Sequence, residues 1–266
     1  MSNYFETKEI TIAYDDKVIV PDLTMAIPQG KITALVGANG SGKSTILKTL
    51  ARVMQPQSGD VYIDGQAIQK LPTKEVAKKL SILPQNPVAP DGLTVSELVA
   101  YGRYPHQKAF SSTTKSDYEI IQWAMASTGL IALQDQMVDE LSGGQRQRAW
   151  IAMALAQKTG ILLLDEPTTF LDMGHQLEVL KLLRKLNKEE RSTIVMVVHD
   201  LNHATRFADY IVCIKQGKIL HEGTPHEVLN ERMLKEVFQI EASIIIEPVS
   251  NVPICIPMDT LDMDKL

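Results

Sequence analysis

The chain opens with three short apolar-rich runs, at 9–14, 23–27 and 31–36, whose alternating or β-branched character predicts strands. A glycine-rich segment follows the third run, and residues 44–53 then carry apolar positions at helical spacing. Val61-Tyr62-Ile63 before Asp64-Gly65 predicts a strand and turn, 72–80 a short helix, and 81–83 a buried strand. From Pro84 the character changes. Pro84, Pro87, Pro90 and Gly92 break the pattern, and helical periodicity returns at 94–103 and 114–128 with no strong strand between. This stretch, about 86–141, predicts an inserted helical subdomain. A helix over 145–157 leads into the apolar strand Ile161-Leu162-Leu163-Leu164. Leu177, Leu180, Leu183 and Leu186 then recur at helical spacing and predict an amphipathic helix over 172–190. A β-branched strand at 193–198, a helix at 201–208 and a hairpin around Gln216-Gly217 complete the pattern. Strands alternating with helices argue for an α/β fold with a mostly parallel sheet. Beyond Phe238, Pro248, Pro253 and Pro257 predict an irregular tail.

Composition narrows this picture. With 266 residues, 44% of them hydrophobic, the chain suits one large domain or a domain carrying an insertion. A formal net charge of -5 disfavours a nucleic-acid binder, which usually presents a basic face. The two cysteines, Cys213 and Cys255, have no CxxC spacing, so neither a disulfide framework nor a zinc site is expected. Cys213 reads as a buried strand residue and Cys255 as a tail residue. Residues 1–8 carry no apolar stretch of the kind a secretory signal needs. No apolar run reaches the roughly 18–20 residues of a membrane helix. Any service to a membrane is therefore expected from its surface, through other chains. His106, His175, His203, His221 and His226 form no metal-ligand spacing and read as surface residues.

The chemistry begins at Gly37-Ala38-Asn39-Gly40-Ser41-Gly42-Lys43-Ser44, a phosphate loop between a strand and a helix. Backbone N–H groups of such a loop can wrap phosphates because glycine permits the dihedrals and the close approach. Lys43 is placed to reach the β- and γ-phosphates, and the Ser44 hydroxyl to bind Mg²⁺. The buried strand ending in Asp165-Glu166 puts two acids where α/β sheets bind ligands. Asp165 suits the metal, and Glu166 suits the attacking water as general base or orienting group. Ser142-Gly143-Gly144, opening a helix, is a second anion site. One triphosphate does not need two such sites from one chain. The economical reading is a dimer in which each chain lends its second site to its partner's ATP.

Leu141-Ser142-Gly143-Gly144-Gln145 matches, letter for letter, the signature sequence of the ATP-binding-cassette (ABC) family, and from about 9 to about 238 the chain resembles that family's transporter ATP-binding subunit. The resemblance implies a P-loop NTPase (RecA-like) core, an N-terminal antiparallel β-subdomain and the inserted helical subdomain. Residues 1–240 would form the ATPase and 241–266 a tail. It implies that Tyr14 stacks on adenine, that the loop from Gly37 to Ser44 with Thr45 holds the phosphates, and that Gln85 contacts Mg²⁺ or the attacking water and hinges the insertion. It implies that Ser142, Gly143, Gly144 and Gln145 meet the partner's γ-phosphate. His199, at a strand end, would contact the γ-phosphate within its own chain. Thr169-Phe170-Leu171-Asp172 takes the place of the loop that crosses the dimer interface; Asp172 matches, whereas Phe170 stands where the family usually has a small residue.

Thr94-Val95-Ser96-Glu97-Leu98-Val99, Gly102-Arg103-Tyr104-Pro105-His106 and the tail from Glu231 through Pro257 resemble the importer subgroup for ferric siderophores, haem and cobalamin. The implied activity is ATP hydrolysis driving import through a polytopic permease, on the cytoplasmic face of the membrane, with a substrate-binding protein as an indirect partner. Ferric siderophore is the commonest cargo; haem, cobalamin or another chelate stay open. So does a soluble cassette ATPase, as in iron–sulfur cluster assembly. A translation- or DNA-associated cassette fits less well, since the chain has one cassette and no long coiled-coil insertion. A non-catalytic nucleotide sensor does not need the full set Lys43, Asp165, Glu166 and His199.

Overall fold

The two N-terminal strands, β1 (Phe5–Tyr14) and β2 (Lys17–Ile27), pair antiparallel across the two-residue turn Asp15-Asp16. The computed structural model describes residues 4–107 and 113–261. Of these, 4–70 with 193–261 form one unit, and 71–107 with 113–192 form another. In the first unit, β4 (Ser58–Ile63) and β5 (Gln66–Ala67) extend the antiparallel sheet in the order β2-β1-β4-β5. Both N-terminal strands begin earlier than their apolar alternation suggests. β2 runs straight through Pro21 because the β1–β2 register shifts there: Ile10 faces Leu23 and Ile12 faces Val20. That bulge leaves Pro21 no ladder hydrogen bond to lose.

The core of the same unit is built on β3 (Ile32–Val36), buried at all five positions. It lies parallel to both β8 (Thr193–Val197) and β9 (Tyr210–Lys215), and β10 (Lys218–Gly223) adds antiparallel on β9. Near-continuous apolar runs such as these are what a parallel sheet covered on both faces requires. Helix α1 (Lys43–Leu50) buries Ile46, Leu47 and Leu50 completely. Helix α7 (Leu201–Phe207) starts at Asp200, whose Oδ1 accepts the His203 N–H at 2.9 Å. The short helices α8 (Pro225–Val228) and α9 (Glu231–Met233) follow β10.

The segment expected to be an irregular tail is instead a hairpin. β11 (Ile240–Glu247) and β12 (Val252–Thr260) pair antiparallel, with Pro253 facing Ile246 and Pro257 facing Ala242. Each strand of a two-stranded ribbon has one outer edge, where a proline forfeits no ladder bond. Cys255, read only as a tail residue, is buried within β12. Cys213 is buried in β9 as expected, and burial pushes its thiol up to about 12.

The second unit contains α2 (Thr73–Lys79), the parallel pair β6 (Leu80–Leu83) and β7 (Ile161–Asp165), and four longer-range helical elements. These are α3 (Val95–Tyr101), α4 (Lys115–Ser127), α5 (Gly143–Ala156) and α6 (Met173–Glu190). Thr94–Glu97 and Thr114–Asp117 form capping boxes that start α3 and α4. Helices α3, α4 and α5 pack on one another. Among the described residues no helix is long and apolar enough to cross a membrane.

The stretch Gly102–His106 has an inward-facing role that its sequence did not announce. Gly102 packs so closely on α5 that a Cβ there would stand 2.1 Å from the Met153 carbonyl oxygen. The Arg103 Nη1 donates to the Ala156 carbonyl at 2.7 Å, and the His106 Nε2 lies 2.8 Å from the Gln157 carbonyl. Orphan carbonyls at the C-terminus of α5 thereby find partners. The Arg103 Nε also donates to Asp117 Oδ1 at 2.8 Å. The Thr114 hydroxyl first, and this guanidinium with it, hold the Asp117 carboxyl down at about 2.

Candidate nucleotide-binding site

In the first unit, β3 delivers the chain at Gly37 into a tight loop that ends as α1. Gly37 has φ +150, and a Cβ there would sit 2.1 Å from the Ile214 carbonyl oxygen of β9, so only glycine fits. The loop is braced from behind: the Gly217 N–H, in the β9–β10 turn, donates to the Ser41 carbonyl at 2.8 Å. The sequence carries no sign of this brace, because Gly217 and Ser41 are far apart in the chain. Ala38, Asn39 and Gly40 are exposed, Ser44 is half-buried, and Thr45 lies buried in the first turn of α1.

Lys43 is 5% exposed, yet its ammonium is held at the loop by the carbonyls of Gly37 and Ala38, each at 2.9 Å. The groups present suit a polyphosphate. A cation stands at the loop, the first N–H groups of an eight-residue helix point toward it, and the buried Ser41 Oγ has no hydrogen-bond partner within the protein. His199 is exposed just past the end of β8. Tyr14, 48% exposed, closes β1 opposite Lys17 at the turn.

In the second unit, β7 ends at Asp165, which is 2% exposed, and Glu166 follows in a left-handed conformation at φ 54. A non-glycine residue in this region stores strain of the kind found at functional positions. The Glu166 Oε2 accepts hydrogen bonds from the Gln85 Nε2 and, at 3.0 Å, from the Thr169 Oγ1. Gln85 and Glu166, 81 positions apart, are thus brought into direct contact. Thr169, read from the sequence only as part of the interface loop, is here a partner of Glu166; its spacing of three from Glu166 was the available signal. Phe170 is 85% exposed, with φ 65, so most of its bulk faces solvent.

The signature turn opens α5 through a capping box. Ser142 Oγ accepts the Gln145 N–H at 3.3 Å, and Gln145 Oε1 accepts the Ser142 N–H at 2.9 Å. The α5 helix therefore begins two residues before the apolar pattern suggests. Gly144 is pressed against His175 on α6: a Cβ would lie 2.5 Å from the ring Cδ2. The His175 Nδ1 is 2.9 Å from Asp172 Oδ2, and the Asp172 Oδ1 caps α6 by accepting the His175 N–H at 2.9 Å. That backbone bond first, and the ring second, keep the Asp172 carboxyl below its ordinary value. Gly144 and Asp172 are thus joined through His175. His175, His203 and His221 are half-buried rather than surface residues, and His221 pairs with Glu236 at 2.7 Å. Among the described residues no group of three or more His, Cys, Asp or Glu could hold a metal ion.

Known proteins resemble this chain in sequence and in fold. Residues 20–169 match the ABC transporter family model. The iron(3+)-hydroxamate import ATP-binding protein FhuC of Bacillus subtilis is 54% identical over 263 residues, covering 99% of this chain and 98% of that protein. The petrobactin import ATP-binding protein FpuD of Bacillus anthracis is 51% identical over 257 residues, covering 97% and 94%. A metal-chelate type ABC transporter solved in an inward-facing conformation superposes with a TM-score of 0.84 at 26% identity, over 97% of this chain and 98% of that one. A dimeric cassette solved in a post-hydrolysis state with ADP and Pi superposes with a TM-score of 0.71 at 29% identity, over 83% and 98%. The chain belongs to the ABC transporter family and is one of its ATP-hydrolysing, ATP-binding subunits.

Proposed function

We propose that two copies of this chain bind two ATP–Mg²⁺ head to tail and power import of a ferric siderophore through a polytopic permease on the cytoplasmic face of the membrane. A substrate-binding protein hands the cargo to that permease. Residues 1–240 act as the ATPase, with about 86–141 as its helical insertion, and 241–266 as a tail. The observation that carries the reading is the pair of anion-ready helix starts in one chain, at α1 and at α5. Ser142 Oγ already accepts a bond from its own helix, so its O–H proton remains to donate to a phosphate oxygen.

When bound, ATP supplies the phosphoanhydride bond and Mg²⁺ neutralises phosphate charge. The Ser44 hydroxyl, the Asp165 carboxylate and the Gln85 amide oxygen are hard oxygen donors of the kind Mg²⁺ takes. Lys43 and the loop N–H groups hold the phosphates in place. Glu166 accepts a proton from the attacking water, and His199 orients the γ-phosphate. Tyr14 offers its ring to the adenine. Gly143, Gly144, Gln145 and Asp172 complete the surface offered to the partner's nucleotide.

Gly144→Ala tests the signature turn. The added methyl displaces the His175 ring and breaks its pairing with Asp172. Little stability is lost with that pair, because the Asp172 carboxylate is open to solvent. Turnover is expected to fall by about 10²-fold, as small misplacements at a catalytic interface do. ATP affinity measured on the isolated chain stays unchanged. An unchanged turnover would remove Gly144 from the interface.

The import of iron(3+)-hydroxamate by one relative and of petrobactin by the other supports the cargo. The test has two arms. A tag on this chain should recover a polytopic permease from solubilised membranes. Cells lacking the chain should lose uptake of radiolabelled ferric hydroxamate while keeping that of haem and cobalamin. Recovery of soluble proteins alone would favour a cytosolic cassette ATPase, and loss of cobalamin uptake instead would reassign the cargo.

A further inference from the structure

The C-terminal hairpin is hydrogen-bonded to α7 through the side chain of Asn202, and the Arg206 charge on the same helix also acts on Glu247 of β11. The Asn202 Nδ2 donates to the Cys255 carbonyl at 3.0 Å, and its Oδ1 accepts the Cys255 N–H at 2.7 Å. Both main-chain groups of one β12 residue are thus satisfied by a single amide, as a neighbouring strand would satisfy them. Strand β12 packs along α7 around this point. A second attachment lies elsewhere: the His226 Nε2 is 2.9 Å from the Asn251 carbonyl, at the tip of the hairpin.

Asn202 sits three residues beyond His199. Only Val198, His199 and Asp200 separate the end of β8 from the start of α7. Asp200 is fixed as the cap of α7. A connection this short has little freedom of its own, so the position of α7 sets where His199 stands. Strand β8 is paired with β3, and α7 buries Ala204, Thr205 and Phe207, so the connection between them is anchored at one end by the sheet and at the other by how α7 is held. The only side-chain amide bridging α7 and β12 among the described residues is that of Asn202.

We infer that the hairpin at 240–260, acting through Asn202, clamps α7 and thereby positions His199 for the γ-phosphate. Asn202 is a positioning residue: it touches no nucleotide. This rests on the proposed role of His199. The tail is then part of the ATPase machinery rather than an appendage to it.

A double-mutant cycle on the full chain tests the inference, with kcat and KM for ATP as readouts. Asn202→Ala is expected to lower kcat by about tenfold or more while leaving KM nearly unchanged, because orientation and not binding is lost. In a His199→Ala background the same substitution should change kcat by less than about twofold, since coupled residues are not additive. His226→Ala removes a contact at the hairpin tip, away from Asn202, and should leave kcat within about twofold of the parent; a loss as large as that of Asn202→Ala would overturn the assignment of the clamp to Asn202. Equal losses in both backgrounds would show that Asn202 does not act through His199, and would overturn the inference while leaving the histidine's role intact. A full kcat for Asn202→Ala would do the same. Full turnover by His199→Ala alone would overturn the reading of the histidine and the inference with it.

Discussion

Glu166→Gln is expected to bind ATP as tightly as the parent chain, to lose turnover by about 10²–10⁴-fold, and to accumulate as an ATP-bound dimer. The geometry isolates the chemistry unusually well. The Glu166 Oε2 is an acceptor for Gln85 and Thr169, and an amide oxygen accepts the same two bonds. The left-handed backbone at φ 54 constrains glutamine no more than glutamate. The substitution therefore keeps the shape and removes the one property that matters, the capacity to take a proton from water. Dimer persistence follows by linkage: ATP favours the closed state, and without hydrolysis nothing withdraws that stabilisation. Turnover, nucleotide affinity and size-exclusion chromatography with ATP measure the three parts separately. Normal hydrolysis would remove Glu166 from the role of base. A fall in ATP affinity would assign the residue to binding instead.

The parts of this arrangement that could be read from the chain are those in which chemistry and local backbone coincide. Gly37 to Lys43 had to be a loop between a strand and a helix, and it is, because glycine content, flanking periodicity and the lysine all concern neighbouring positions. The Asp165-Glu166 strand end was legible for the same reason. What escaped reading depends on residues distant in sequence. The contact of Gln85 with Glu166 and the brace from Gly217 to Ser41 are set by tertiary packing, and no local pattern encodes them. Gly102 and Arg103 showed only a resemblance to an importer subgroup, whereas in the fold Gly102 packs against α5 and Arg103 caps its end. Pro253 and Pro257 read as breakers, since proline forbids a ladder bond; a two-stranded ribbon provides outer-edge positions where that bond is not required. The tail hairpin was therefore hidden by a rule that holds for central strands and lapses at edges.

Lys43→Met should weaken ATP binding by about 10²-fold, the scale of one or two charge-assisted hydrogen bonds to phosphate. Methionine keeps most of the apolar stem of this nearly buried side chain and discards the ammonium, so packing of α1 on the core is disturbed little. The carbonyls of Gly37 and Ala38 lose the donor that holds them; Ala38 is exposed, so water can replace the donor there, whereas the Gly37 carbonyl is buried and loses its bond. A change in melting temperature of a few degrees is consistent with that exchange. The contrast with Glu166→Gln is the informative part. The lysine variant should fail to form the ATP-dependent dimer because its own loop no longer holds nucleotide, whereas the glutamate variant should fail to leave it. Mixing the two tests the head-to-tail arrangement. A Lys43→Met chain still presents Ser142 and Gly144, so paired with a Glu166→Gln chain it should complete one of the two sites. The expected result is a mixed dimer that retains a single ATP, read by nucleotide stoichiometry on the purified heterodimer. Two bound ATP would show that Lys43 is dispensable for binding, and none would show that one chain does not complete the other's site.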